Sequence, residues 1–179
     1  MYIPTTQLTQ GAGGDFTLIH SETLGGDAAT IDVTDIPQGY THLVVKLLLR
    51  VSDANNPVLV RFNNDSGANY DWINELVILS NFATTEGVAS TSLVANYCAR
   101  STDPANEFAM IEYQIPFYTG EQLKKLIHSG HVRLGTTSAL FYYIAGGGTW
   151  RSTSAINRIT LLTVTNYLAV SSIMVYGLN

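Results

Sequence analysis

The sequence predicts an all-β protein, a single antiparallel β-sandwich of jelly-roll type with one short helix. Three observations lead there. Runs rich in β-branched and aromatic residues recur every 10 to 15 residues, with Gly, Asn, Asp and Ser between them. Consecutive runs are not separated by the helices that a βαβ fold requires. The 179 residues suffice for one domain that buries roughly 70% of its unfolded surface, without disulfides or metal.

The expected strands are Phe16–His20, Thr30–Val33, Thr41–Ser52, Pro57–Asn63, Tyr70–Leu79, Ser90–Ala99, Glu107–Ile115, His131–Ala145, Asn157–Thr165 and Ser172–Tyr176. Ala109, Ile111, Tyr113 and Ile115 alternate with Met110, Glu112 and Gln114, as in a strand with one wet face. Val58, Val60 and Phe62 alternate with Leu59 and Arg61 in the same way. Thr41–Val51 is apolar on both faces except at Lys46 and Arg50, which places it at a sheet centre or under another subunit. The helix is expected after Thr119, an N-cap residue. Leu123, Leu126 and Ile127 would share its face, and Gly130 would end it. Residues 1–15 are polar and glycine-rich. They read either as loose terminus or as an arm anchored on a neighbour by Tyr2, Ile3 and Leu8, leaving 16–179 as the sandwich domain.

Composition narrows the function. Charged residues are only 13% of the chain, which suggests that part of the surface faces other protein. The net charge is −5 and Lys and Arg are scattered, with no basic face for phosphates, so no nucleic-acid binding is expected. The longest apolar run, Leu43–Leu49, is too short for a bilayer and is broken by Lys46, so no membrane span is expected. Met1-Tyr2-Ile3-Pro4 lacks the basic segment and apolar stretch of a signal peptide. The single cysteine, Cys98, reads as a buried, inert thiol.

No catalytic constellation stands out. There is no Gly-x-Ser-x-Gly elbow, and His20, His42, His128 and His131 are dispersed. Glu107 and Glu112 lie at odd spacing, a poor pair for glycoside hydrolysis. His128 and His131 read as turn residues because further zinc ligands are missing beside them. Asn63-Asn64-Asp65-Ser66-Gly67 is oxygen-rich, but the bidentate Glu of an EF-hand loop is replaced by Asn74, so it reads as a hairpin turn. Gly146-Gly147-Gly148 lacks the Gly-Lys-Ser/Thr of a phosphate loop and reads as a flexible connection. No catalytic residue, cofactor or metal is therefore expected. Tyr70, Trp72, Tyr142, Tyr143 and Trp150 are the residues with binding potential. They read as core, as oligomer interface, or, with Tyr70, Trp72 and Trp150 exposed together, as an aromatic surface for sugar rings.

Several segments in a fixed order carry a family likeness. These are Phe16-Thr-Leu-Ile-His-Ser-Glu-Thr-Leu-Gly25, Ile36-Pro-Gln-Gly-Tyr-Thr-His-Leu43 and Val60-Arg-Phe-Asn-Asn-Asp-Ser-Gly-Ala-Asn-Tyr70, followed by Trp150-Arg-Ser-Thr-Ser-Ala-Ile-Asn-Arg-Ile-Thr-Leu161 and Ser171-Ser-Ile-Met-Val-Tyr-Gly-Leu178. Together they resemble a group of small structural proteins of tailed bacteriophages, minor tail or accessory virion proteins. The likeness covers most of the chain from Phe16, and is poor from about Phe82 to Ser129 apart from Ile111–Pro116. It implies a non-enzymatic virion component assembled in the host cytoplasm, with capsid decoration (cement) or an accessory role as the leading reading. The alternative is a tail or baseplate component touching the host surface, with carbohydrate as a ligand. The two-faced run Thr41–Val51 and the low charge suggest a homo-oligomer. The resemblance implies a trimer, with major capsid or tail proteins as further partners.

Overall fold

The computed structural model describes residues 16–52, 57–78, 81–134 and 141–179, with the backbone alone at 78, 96, 124–134, 141 and 142. Its strands in chain order are β1 (Thr17–Thr23), β2 (Ala28–Val33), β3 (His42–Val51), β4 (Pro57–Phe62), β5 (Tyr70–Ile78), β6 (Asn81–Ser90) and β7 (Leu93–Tyr97). They continue with β8 (Ala99–Arg100), β9 (Ala109–Pro116), β10 (Lys124–Leu134), β11 (Phe141–Trp150), β12 (Ile159–Tyr167) and β13 (Ser172–Leu178). The protein is all-β, as expected, and the described residues contain no helix.

A long sheet runs in the order β1-β13-β3-β9-β10-β11-β5-β6, with every neighbouring pair antiparallel. A shorter one runs β2-β12-β4-β7, also antiparallel. They join where Tyr167 of β12 pairs with Val51 at the end of β3. The two-residue β8 lies parallel to that same end.

Period-two patterning explains the core. Leu43, Val45, Leu47, Leu49 and Val51 point inward from β3 and are buried, while Lys46 is exposed between them. Ala109, Ile111, Tyr113 and Ile115 do the same on β9, and Val58, Val60 and Phe62 on β4. These residues share one cluster with Ile159, Leu161 and Tyr167 of β12. Each large side chain so buried contributes about 1.5–3 kcal/mol relative to exposure. The apolar run of β3 does lie at a sheet centre, between β13 and β9.

Four local expectations are corrected. The segment expected as a helix from Thr119 to Gly130 instead leads into β10, which is hydrogen-bonded to β9 on one side and β11 on the other. The Leu123, Leu126, Ile127 spacing is too short a helical pattern to outweigh pairing on both edges. His131–Ala145 is not one strand, because it divides between β10 and β11. Gly146, Gly147 and Gly148 are no loop: they lie inside β11, opposite Asn74, Ile73 and Trp72 of β5. A Cβ on Gly148 would collide with Leu93 of β7 and lie 2.7 Å from the Asp71 carbonyl oxygen, so close packing requires glycine there. The Asn63–Gly67 turn is not a hairpin, since β4 belongs to the short sheet and β5 to the long one.

Two segments of the family-like pattern meet in space. A Cβ on Gly177 of the closing Tyr-Gly-Leu would clash with the ring of Tyr40, from the Ile-Pro-x-x-Tyr segment. The Tyr118 hydroxyl donates to the Pro37 carbonyl beside it. Glycine on β13 thus provides the space that the Tyr40 ring occupies.

Candidate functional site

Tyr70 opens β5 and Trp150 ends β11, directly across the ladder. Their rings are stacked, with centroids 6.4 Å apart and planes 15° from parallel. Phe62 closes the group at 5.6 Å from Trp150. Exposure is 0% for Tyr70 and 2% for Trp150, so neither ring can offer a face to a sugar. Trp72 is half-buried against the core, and its indole N–H donates to Ser90 Oγ at 3.3 Å. Tyr70 and Trp150 therefore belong to the core, and the three residues do not form an open aromatic surface.

The turn under these rings is held by Asp65. Asn63 and Asn64 both have positive φ, 51° and 59°, and the Asp65 N–H donates back to the Phe62 carbonyl at 2.9 Å. That is the geometry of a type I′ turn, which asparagine tolerates. The Asp65 carboxylate accepts from the Trp150 indole at 2.7 Å, the Asn69 amide at 2.9 Å and the Gly67 N–H at 2.8 Å. The Trp150 hydrogen bond is the largest influence holding the carboxyl below its ordinary value. Burial has the opposite effect on its neighbour, pushing the Tyr70 hydroxyl up to about 12. That hydroxyl accepts from Phe62 N–H at 3.0 Å and donates to the Asp65 carbonyl at 3.1 Å. Three N–H donors converge on the carboxylate, the wrong polarity for a cation, so this arrangement closes a corner between sheets.

The remaining candidates do not converge either. His20 lies 3.7 Å from Glu22, and His42 Nδ1 accepts the Phe117 N–H at 3.2 Å. His128 and His131 fall on β10, not in a turn, opposite Tyr113 and Met110 of β9. Glu112 pairs with Lys46 at 3.3 Å on the outer face, while Glu107 precedes β9. Cys98 is buried, and burial raises its thiol well above the usual range, which suppresses thiolate chemistry. Among the described residues no three His, Cys, Asp or Glu side chains gather as metal ligands. Tyr2, Ile3 and Leu8 lie outside the described residues.

What the fold does present is a broad outer face on the long sheet. Across β1, β13, β3 and β9 the register lines up Leu18, Tyr176, Val44 and Gln114; the next row on that face holds Met174, Lys46 and Glu112, and the one after it Ser172, Leu48 and Met110. Leu18 is 52% exposed and Met110 57%. At one end of these strands a groove of about 360 Å³ opens between Phe16, His42, Val44, Pro116 and Leu178. Further across, Ile73 of β5 is also exposed, as are Phe82 and Val88 of β6. The β6 residues were absent from the strands expected from the sequence. Phe82 and Val88 flank a polar Thr-Thr-Glu-Gly stretch that carries little apolar alternation. The geometry suits contact with other protein surfaces better than it suits chemistry on a small molecule.

No family model, curated protein or solved structure matches this chain.

Proposed function

We propose that this chain is a non-enzymatic structural subunit of a tailed-phage virion. In this reading it is a capsid decoration or accessory protein that binds its own copies and major capsid or tail proteins. Its two sheets form one jelly-roll-like sandwich, and the assembly favoured by the resemblance is a trimer. One observation carries the reading: the outer face of the long sheet leaves Leu18 and Met110 more than half exposed. Lys46 and Glu112 neutralise each other at 3.3 Å in the middle of that face. A face of that kind, on a chain with 13% charged residues, is suited to covering by another protein. The family-like segments, and the way Tyr40 meets Gly177, support the same reading. The alternative of a carbohydrate-binding tail component loses its main support, because Tyr70 and Trp150 are buried.

The test uses particles that lack the chain, mixed with purified full-length protein. Leu18→Lys and Met110→Lys alter exposed side chains, so melting should stay within a degree or two while particle binding falls at least tenfold. Removing residues 1–15 tests Tyr2, Ile3 and Leu8 separately, and loss of binding with unchanged melting assigns them an anchoring role. Binding by neither the full-length chain nor any variant would refute the virion reading.

A further inference from the structure

The long sheet ends in a strand that no other described residue covers. β6 pairs with β5 alone, and it is exposed at every position except the half-buried Gly87 and Ser90. Phe82 is 81% exposed and Val88 72%. An open edge offers a row of backbone N–H and C=O groups that another strand satisfies along its whole length.

The other edges carry guards. β1 has a register shift at Leu18/His20, with Glu22 beyond it. β2 is six residues long and holds Asp32, bonded to Arg158 at 2.9 Å. β7 has only five residues. β6 contains no Lys, Arg or Pro, and its register with β5 is unbroken from Asn81 to Gly87. Bulges, charge and short length are how natural sheets protect an edge; β6 has Glu86 and, only past Gly87, a register shift at Val88 and Ala89, which leaves the stretch from Asn81 to Gly87 open.

We propose that β6 pairs antiparallel with β6 of a second copy of this chain, about a twofold axis at Thr85. The side chains select both the occupant and the register. With Thr85 facing itself, Phe82 falls opposite Val88 of the partner subunit, and this pair occurs twice. Ala83 then meets Gly87, and Thr84 meets Glu86. Centring the axis on Glu86 would oppose two carboxylates, and centring it on Thr84 would set Phe82 against Glu86. Like charges directly opposite destabilise a ladder and apolar pairs stabilise it. The side chains on one strand face therefore complement their own reverse. This contact goes beyond the virion reading and stands or falls without it.

Cross-linking of the full chain tests the register. Directly opposed residues in an antiparallel ladder have Cα atoms about 4.5–5.5 Å apart, within the roughly 4.4–6.8 Å that a disulfide spans. Native Cys98 is 2% exposed and does not compete. Thr85→Cys under mild oxidant should give a covalent dimer, whereas Thr23→Cys on the β1 edge should not. Light scattering should give an even-numbered assembly, a pair of trimers where the trimer of the virion reading also forms, whose mass halves in Phe82→Lys while the single chain stays folded. A monomer at all concentrations, an oligomer unaffected by Phe82→Lys, or Thr85→Cys that stays uncrosslinked would overturn the proposal. Particle binding is scored separately, so a chain that binds particles yet fails to cross-link loses only this inference.

Discussion

The middle of the long sheet and its β6 edge are both built from regular strands and have opposite fates. Around β3 and β9, alternate side chains enter a common core with the short sheet, and Leu43, Leu49, Tyr113 and Ile115 are fully buried. At the β6 end, nearly every side chain is in solvent. Among the described residues the long sheet has eight strands and the short one four, and none of those residues covers β6, which lies beyond the overlap. Strand formation and burial are thus separate outcomes here. β6 exists because β5 provides hydrogen bonds along its length, while β3 exists also because its side chains leave water.

The sharpest way to break this contrast is to truncate one buried ring and one exposed ring. Trp150→Ala should cost about 3–5 kcal/mol, since it empties a buried, stacked site and removes the donor to Asp65. Phe82→Ala should change single-chain stability by no more than about 0.5 kcal/mol. Denaturant titration of both variants in dilute solution decides it, and equal losses would show that β6 is packed after all.

A smaller effect belongs to the corner that Asp65 holds. Its folded carboxyl lies below the ordinary value, chiefly because of the Trp150 indole. Its stabilisation is therefore complete above about pH 4 and is lost as pH falls through the folded value. Melting temperature should drop on acidification from pH 5 to 2.5, less steeply in Asp65→Asn than in the unmodified chain. Identical slopes would mean that the carboxylate contributes nothing to the corner.

The smallest effect expected is a gain. Val170, in the turn between β12 and β13, has φ of 72° and is 57% exposed. A left-handed conformation costs an L-residue with a branched Cβ roughly 1–2 kcal/mol. Glycine removes that cost and adds roughly 0.5–1 kcal/mol of chain entropy. Val170→Gly should raise the melting temperature by about 1–4 °C. A decrease would show that the valine side chain makes a contact worth more than the strain.

The same contrast decides what could be read from the sequence. The alternation of Ala109, Ile111, Tyr113 and Ile115 identified β9 because burial writes a period-two pattern. β6 has no such pattern, since neither of its faces is buried, and its Asn-Phe-Ala-Thr-Thr-Glu-Gly sequence reads as a connection. The first part of β10, up to Gly130, reads as a helix because three apolar residues fit a helical face, whereas its pairing with β9 and β11 is non-local and leaves no local signature. Glycines at 146–148 read as a loop because chain flexibility is the common meaning of such a run. Here Gly148 serves the approach of Leu93. The aromatic residues themselves were recognisable, but only the fold could show that Tyr70 and Trp150 face inward while Phe82 faces out.

The central claim, a structural subunit whose outer sheet face is covered by other protein, meets its most direct test in a reconstruction of particles carrying the full chain. The account predicts density for the chain at symmetric positions, with β13, β3 and β9 turned toward a neighbouring protein and Leu18 and Met110 inside the contact. Particles without the chain, or with that face left in solvent, would contradict it.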